Sequence, residues 1–115
     1  MFSDQTNLKK FSSELPNLYY ANDMFYYCES LNEFNSTLPS LTYGCSMFYH
    51  CNLLTKFVCD LPYLVDGRAM FSNCNSLTTF QGNLGSLLTG HSMFSKCKLT
   101  PESIMYIIDG INDVK

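Results

Sequence analysis

Apolar residues fall along this chain at an interval that belongs to neither a helix nor a strand. Met-Phe pairs open at Met1, Met24, Met47, Met70 and Met93, a constant step of 23 residues. Counted from each pair, the eighth position holds Leu8, Leu31, Leu54 and Leu77, and the eleventh holds Phe11, Phe34, Phe57 and Phe80. The fifteenth holds Leu15, Leu38, Leu61 and Leu84, and the eighteenth Leu18, Leu41, Leu64 and Leu87. Position five is Gln5, then Cys28, Cys51, Cys74 and Cys97. Position sixteen is Pro16, Pro39, Pro62 and Gly85, and position twenty-one is Ala21, Gly44, Gly67 and Gly90. Between these columns the residues vary from unit to unit, which is the signature of a repeat architecture.

A frame of MFxxCxxLxxFxxxLPxLxxGxx cannot be one amphipathic helix, because Pro recurs inside each unit and removes a backbone donor. It predicts a single coil per unit: a short extended segment near positions eight to thirteen, a turn after the Pro, and a return leg through Gly to the next Met-Phe pair. One coil cannot bury its apolar side, but stacked coils can, since like columns then touch. The chain divides into repeats 1–23, 24–46, 47–69 and 70–92 and a partial repeat plus helical cap over 93–115, all within one domain. At strand spacing, such a stack has a core about 20 to 25 Å long.

The two ends differ. After Cys97, Thr100 is a good N-cap and Pro101 suits the first helical position. Ile104, Ile107, Ile108 and Ile111 fall on one helical face that would cover the open end of the stack, with Tyr106, Asp109 and Asn112 more outward and Gly110 weakening the last turn. The first unit has no such cap. Its Asp4, Gln5, Lys9 and Lys10 make the edge tolerable to water, or upstream residues or a second copy cover it, so an edge-to-edge homodimer at the uncapped N-terminus is one expectation.

Over positions 1 to 97 the frame resembles the BspA-like leucine-rich repeats, most closely the Met-Phe variant found in surface and phage-associated proteins of gut bacteria. The resemblance implies a repeat solenoid, a right-handed leucine-rich-repeat coil with short parallel strands, here closed by a C-terminal capping α-helix. It also implies partner binding on the outward strand face and a cell-surface or secreted setting. One departure stands out. The inward strand position, usually Ile or Leu in that family, is Ser13, Ser36, Cys59 and Gly82, which predicts a thinly packed column and a flatter coil.

Composition narrows the function classes. The formal net charge is −3 and no basic cluster exceeds Lys9-Lys10, which disfavours nucleic acid as a partner. No apolar run approaches the roughly 20 residues of a membrane span. The N-terminus lacks the basic-then-apolar order of a signal peptide, although Met1 lies in phase with the repeat and a longer parent chain is open.

The candidate chemistry is sparse. Cys28, Cys51, Cys74 and Cys97 recur once per coil, too far apart in sequence for the short C-x-x-C spacing of a zinc site, and read as small buried hydrophobes donating weakly to a neighbouring carbonyl. Off that column, Cys59 reads as core and Cys45 as exposed, the first choice for a reactive thiol. His50, beside Cys51, shares its slot with Asp4, Tyr27, Asn73 and Lys96 and reads as solvent-facing; His91 shares its slot with Arg68. Neither stands in a catalytic spacing, and the expectation is no enzyme, no metal and no cofactor.

The variable slots carry the binding candidates. On the outward strand face these are Lys10, Glu33 and Lys56, then Asn35, Val58 and Gln81, and Asp60 in a third column. Tyr26, Tyr27 and Tyr49 join them from the Tyr-rich turns, which either pack on one another over the coil turns or form a ligand patch. The expected function is a non-catalytic protein-interaction or adhesion module with a protein or glycan partner. The alternatives are a carbohydrate-binding module using the Tyr-rich turns and a structural spacer.

Overall fold

The computed structural model describes residues 2–112, with side-chain surroundings through Ile108. Its elements are β1 (Lys10–Phe11), β2 (Glu33–Phe34), β3 (Lys56–Val58), β4 (Thr79–Gln81) and α1 (Pro101–Asn112). The strands occupy one slot in each of the first four repeats and pair in parallel, Phe11 opposite Phe34 and Phe57 opposite Phe80. Each strand is short because the chain soon turns at Leu-Pro. The Leu18, Leu41 and Leu64 amides donate to the Leu15, Leu38 and Leu61 carbonyls at 3.3 to 3.4 Å, a turn for which Pro at the second position presets φ.

The return leg binds each unit to the next. The amides of Phe2, Phe25, Phe48 and Phe71 donate to the carbonyls of Met24, Met47, Met70 and Met93, each at 2.8 Å. Two slots on, Asp4, Tyr27, His50 and Asn73 donate forward in the same way. Aiming these donors requires left-handed backbone at Asp4, Tyr27, His50, Asn73 and Lys96, and again at Asp23, Ser46, Ala69 and Ser92, with φ between 54° and 65°. Glycine occupies none of these slots. At position twenty-one it answers instead to space: a Cβ on Gly67 would lie 3.1 Å from the Met93 sulfur.

All nine phenylalanines fall in two columns. Phe2, Phe25, Phe48, Phe71 and Phe94 stack face to face, as do Phe11, Phe34, Phe57 and Phe80, with centroid spacings of 5.3 to 5.8 Å. The columns meet edge to face at 4.8 to 5.7 Å, a geometry the aromatic quadrupole favours. Leu31, Leu54, Leu77, Leu38, Leu61, Leu41 and Leu64 complete a fully buried interior. In the first unit Phe2, Leu8, Leu15 and Leu18 are only partly buried.

The thin inward position is filled by backbone. A Cβ on Gly82 would collide with the Cys59 carbonyl oxygen, and the buried Ser36 hydroxyl donates to the Ser13 carbonyl. Large side chains are excluded there because the preceding coil's main chain already occupies the volume.

The helical cap corrects the sequence expectation in its rotation. Thr100 accepts the Ser103 amide at 3.2 Å, as an N-cap should, but α1 docks through Ser103 and Ile107. Ile104 and Ile108 remain 45% exposed, and the side chains of Asp109, Ile111 and Asn112 lie outside the described residues. The cause is a backbone donor. Phe80 in β4 needs an acceptor where a further strand would offer a carbonyl, and the Ser103 hydroxyl supplies it at 3.0 Å. That bond fixes the face of α1 turned to the stack. It leaves an apolar groove of about 360 Å³ between Phe94, Cys97, Leu99 and the exposed isoleucines.

The strand ladder is interrupted once. β1 pairs with β2 and β3 with β4, but β2 and β3 belong to separate sheets. On the return leg the parallel bridges Tyr20–Tyr43–Asp66–Thr89 run through without a break.

Candidate functional site

The break between β2 and β3 lies in the middle of the outward strand face. It opens a cleft of about 380 Å³ lined by Glu33, Asn35, Lys56 and Val58, with Asn32 and Thr37 beside them and Phe34 and Ser36 at its base. In the first coil pair the Asn32 and Glu33 backbone amides donate to the Lys9 carbonyl at 2.8 and 3.3 Å, and in the third the Thr78 and Thr79 amides donate to the Thr55 carbonyl at 3.0 and 3.4 Å, whereas Thr55 and Lys56 form no such bonds to the Asn32 carbonyl. The Asn32 carbonyl at the cleft therefore takes no backbone donor from the next coil.

Side-chain charge is uneven across it. Glu33 is paired with Lys10, whose ammonium lies 3.5 Å from one carboxylate oxygen, while the Asn35 side-chain amide donates to the other at 3.3 Å. Lys56 is exposed and has no acidic partner within ion-pair distance among the described residues. Asp60 and Gln81 are exposed farther along the face, and Asp60 accepts the Asn83 amide at 3.2 Å. Of the strand-face candidates, the cleft gathers Glu33, Asn35, Lys56 and Val58 and leaves Lys10, Asp60 and Gln81 around it.

Tyr26, Tyr27 and Tyr49 form a separate cluster on the turn leg. Tyr26 and Tyr49 stack at 5.1 Å, Tyr27 stacks on His50 at 4.4 Å, and Asn73 donates to the Tyr49 hydroxyl at 3.2 Å. Each ring is half-buried against its neighbours, the packing alternative of the two sequence readings. His50 is likewise half-buried, with Glu29 at 3.5 Å, rather than free in solvent.

The cysteine column is structural in its bonding. Cys28, Cys51, Cys74 and Cys97 donate to the carbonyls of Phe2, Phe25, Phe48 and Phe71 at 3.0 to 3.2 Å. Burial pushes all four thiols up, Cys97 to about 11, and Cys59 also to about 11. A thiol held protonated is a poor nucleophile and a poor metal ligand. Cys45 is half-buried, not exposed as its slot suggested, and its amide is held by the Asn22 side chain at 2.9 Å. All six cysteines are free. Among the described residues no group of His, Cys, Asp and Glu is arranged to hold a metal, and no helix is long and apolar enough to cross a membrane.

One pair escaped the sequence reading. Arg68 donates from Nε and Nη2 to the two carboxylate oxygens of Asp66, each at 2.9 Å, and its amide adds a bond to Oδ1 at 3.2 Å. These bonds hold the Asp66 carboxyl below the usual carboxylate range. The signal available was the D-x-R spacing across the return-leg turn. The well-exposed tyrosines among the described residues are Tyr19, Tyr20, Tyr43, Tyr63 and Tyr106 rather than Tyr26, Tyr27 and Tyr49.

Compared with known families, the chain matches the BspA type leucine-rich repeat region in 6 copies over residues 1–113. No curated protein and no solved structure matches it.

Proposed function

We propose that this chain, which belongs to the BspA-type leucine-rich-repeat family, is a non-catalytic protein-interaction module built as a right-handed repeat solenoid. The family as a whole supports protein interaction in general terms and is typically surface-associated, and we extend this to an adhesive role in a surface or secreted setting. The observation that carries the reading is the cleft between β2 and β3, which draws Glu33, Asn35, Lys56 and Val58 around one opening in the strand face. With Glu33 engaged by Lys10, the net character of the cleft is set by Lys56, so a partner presents an acidic side chain there.

A partner screen with variants tests this. Wild-type protein and Lys56→Glu and Val58→Asp variants are used as bait, with Gln5→Ala, which is exposed and far from the cleft in sequence, as control. The same partner is expected with wild type and control and lost with both cleft variants. Equal recovery by all four would refute the strand face as the binding surface. The partly buried first coil is the edge through which a homodimer would form, and sedimentation of wild type against Phe2→Asp checks that secondary reading.

A further inference from the structure

The return leg carries a second row of variable side chains, away from the strand face. Slot twenty is bridged in parallel from Tyr20 through Tyr43 and Asp66 to Thr89, so neighbouring coils project these side chains to the same side. Tyr20 is 59% and Tyr43 40% exposed, with ring centroids 6.1 Å apart and tilted by 50°. Next in the row comes the Asp66–Arg68 pair, locked by its two 2.9 Å bonds.

The chemistry of this row selects among ligands. Two tyrosines give apolar ring faces with polar tips. The closed carboxylate–guanidinium pair adds fixed acceptors and donors and contributes no net charge, which disfavours a strongly anionic or cationic ligand. Its geometry is set before any ligand arrives, so little ordering cost is added on binding. A pyranose ring has the matching features, an apolar C–H face for tyrosine and hydroxyls that both donate and accept. The step from coil to coil, 5.3 to 5.6 Å in the phenylalanine column, is close to the length of one pyranose in an extended glycan, so successive sugars meet successive coils.

We propose that Tyr20, Tyr43, Asp66 and Arg68 form a binding strip for an extended, uncharged oligosaccharide lying along the stack. The strip is independent of the strand-face cleft, and the two readings stand or fall separately.

Calorimetric titration with cellohexaose, chitohexaose, mannohexaose and xylohexaose, their trisaccharides and monosaccharides, and a heparin hexasaccharide tests it. At least one neutral hexasaccharide is expected to bind, more tightly than its trisaccharide and far more tightly than its monosaccharide. Tyr20→Ala and Tyr43→Ala should each weaken binding about tenfold, Arg68→Ala should weaken it too, and Lys56→Glu should leave it unchanged. Thermal unfolding of each variant at the wild-type midpoint establishes that the loss is local. No neutral hexasaccharide binding at millimolar concentration, binding indifferent to both tyrosines, or preference for heparin would each overturn the proposal.

Discussion

At the residue scale, the strain of this chain collects in two slots of the repeat. Ala69 is held at φ 54° with no glycine to relieve it, and its amide donates to the His91 carbonyl at 2.9 Å. An L side chain in that region costs about 1 to 2 kcal/mol, part of which glycine gives back as unfolded-chain entropy. Ala69→Gly is therefore expected to stabilise the protein by about 1 kcal/mol and Ala69→Val to destabilise it by more, read from urea midpoints. The thiols give a second, pH-dependent prediction. Burial raises Cys51, Cys59, Cys74 and Cys97, to about 11 for Cys59 and Cys97. In the unfolded chain a thiol releases its proton near pH 8.5. Above that pH the folded state binds more protons than the unfolded state, so stability is whole below about pH 8.5 and falls as pH rises through about 11. Under reducing conditions the urea midpoint should drop over that window, and drop less in Cys51→Ala, whose midpoint at neutral pH is already lowered. A midpoint flat to pH 11 would contradict the buried, protonated column. That the column is frame and not a site was legible from its constant 23-residue step; that His50 is half-buried was not, because a turn's handedness leaves no trace in one residue's identity.

Among the elements, α1 and the strand break show where sequence patterning reaches its limit. The isoleucine spacing correctly marks a helix over the end of the stack, and Thr100-Pro101 marks its start. The rotation of that helix follows from one unsatisfied amide in β4, a demand that hydrophobic periodicity does not encode. Ser103→Ala should cost about 1 to 3 kcal/mol by orphaning the buried Phe80 amide. Hydrogen exchange at Phe80 should accelerate with it, whereas protection unchanged from wild type would mean that α1 is held by other contacts. Gly82→Ala tests the thin inward column in the same way. A Cβ driven against the Cys59 carbonyl should cost about 1 to 3 kcal/mol, measured as a lowered urea midpoint. The separation of β2 from β3 had no sequence signal, because Phe34 and Phe57 occupy the frame and stack at 5.7 Å like every other pair in their column.

Across the whole molecule, the frame and the variable slots divide the work. Phenylalanine columns, thiol–carbonyl bonds and the forward amide ladder recur from coil to coil and hold each unit only to its neighbours. Stability should then be close to a sum over units and their interfaces. The exposed slots between the columns are free to differ, and there the cleft at Lys56 and the tyrosine row arise. The columns were readable because a fixed period aligns the sequence with itself; which variable slots converge was not, because convergence depends on the bend of each coil. The most direct test of this account is thermal unfolding of a chain lacking residues 47–69, one complete unit, beside a chain lacking residues 47–58, half a unit. The first deletion joins Ser46 to Met70 in frame and should leave a folded protein that unfolds cooperatively at a lower temperature, while the second should abolish folding; equal damage from both deletions would contradict the repeat frame as the source of the fold.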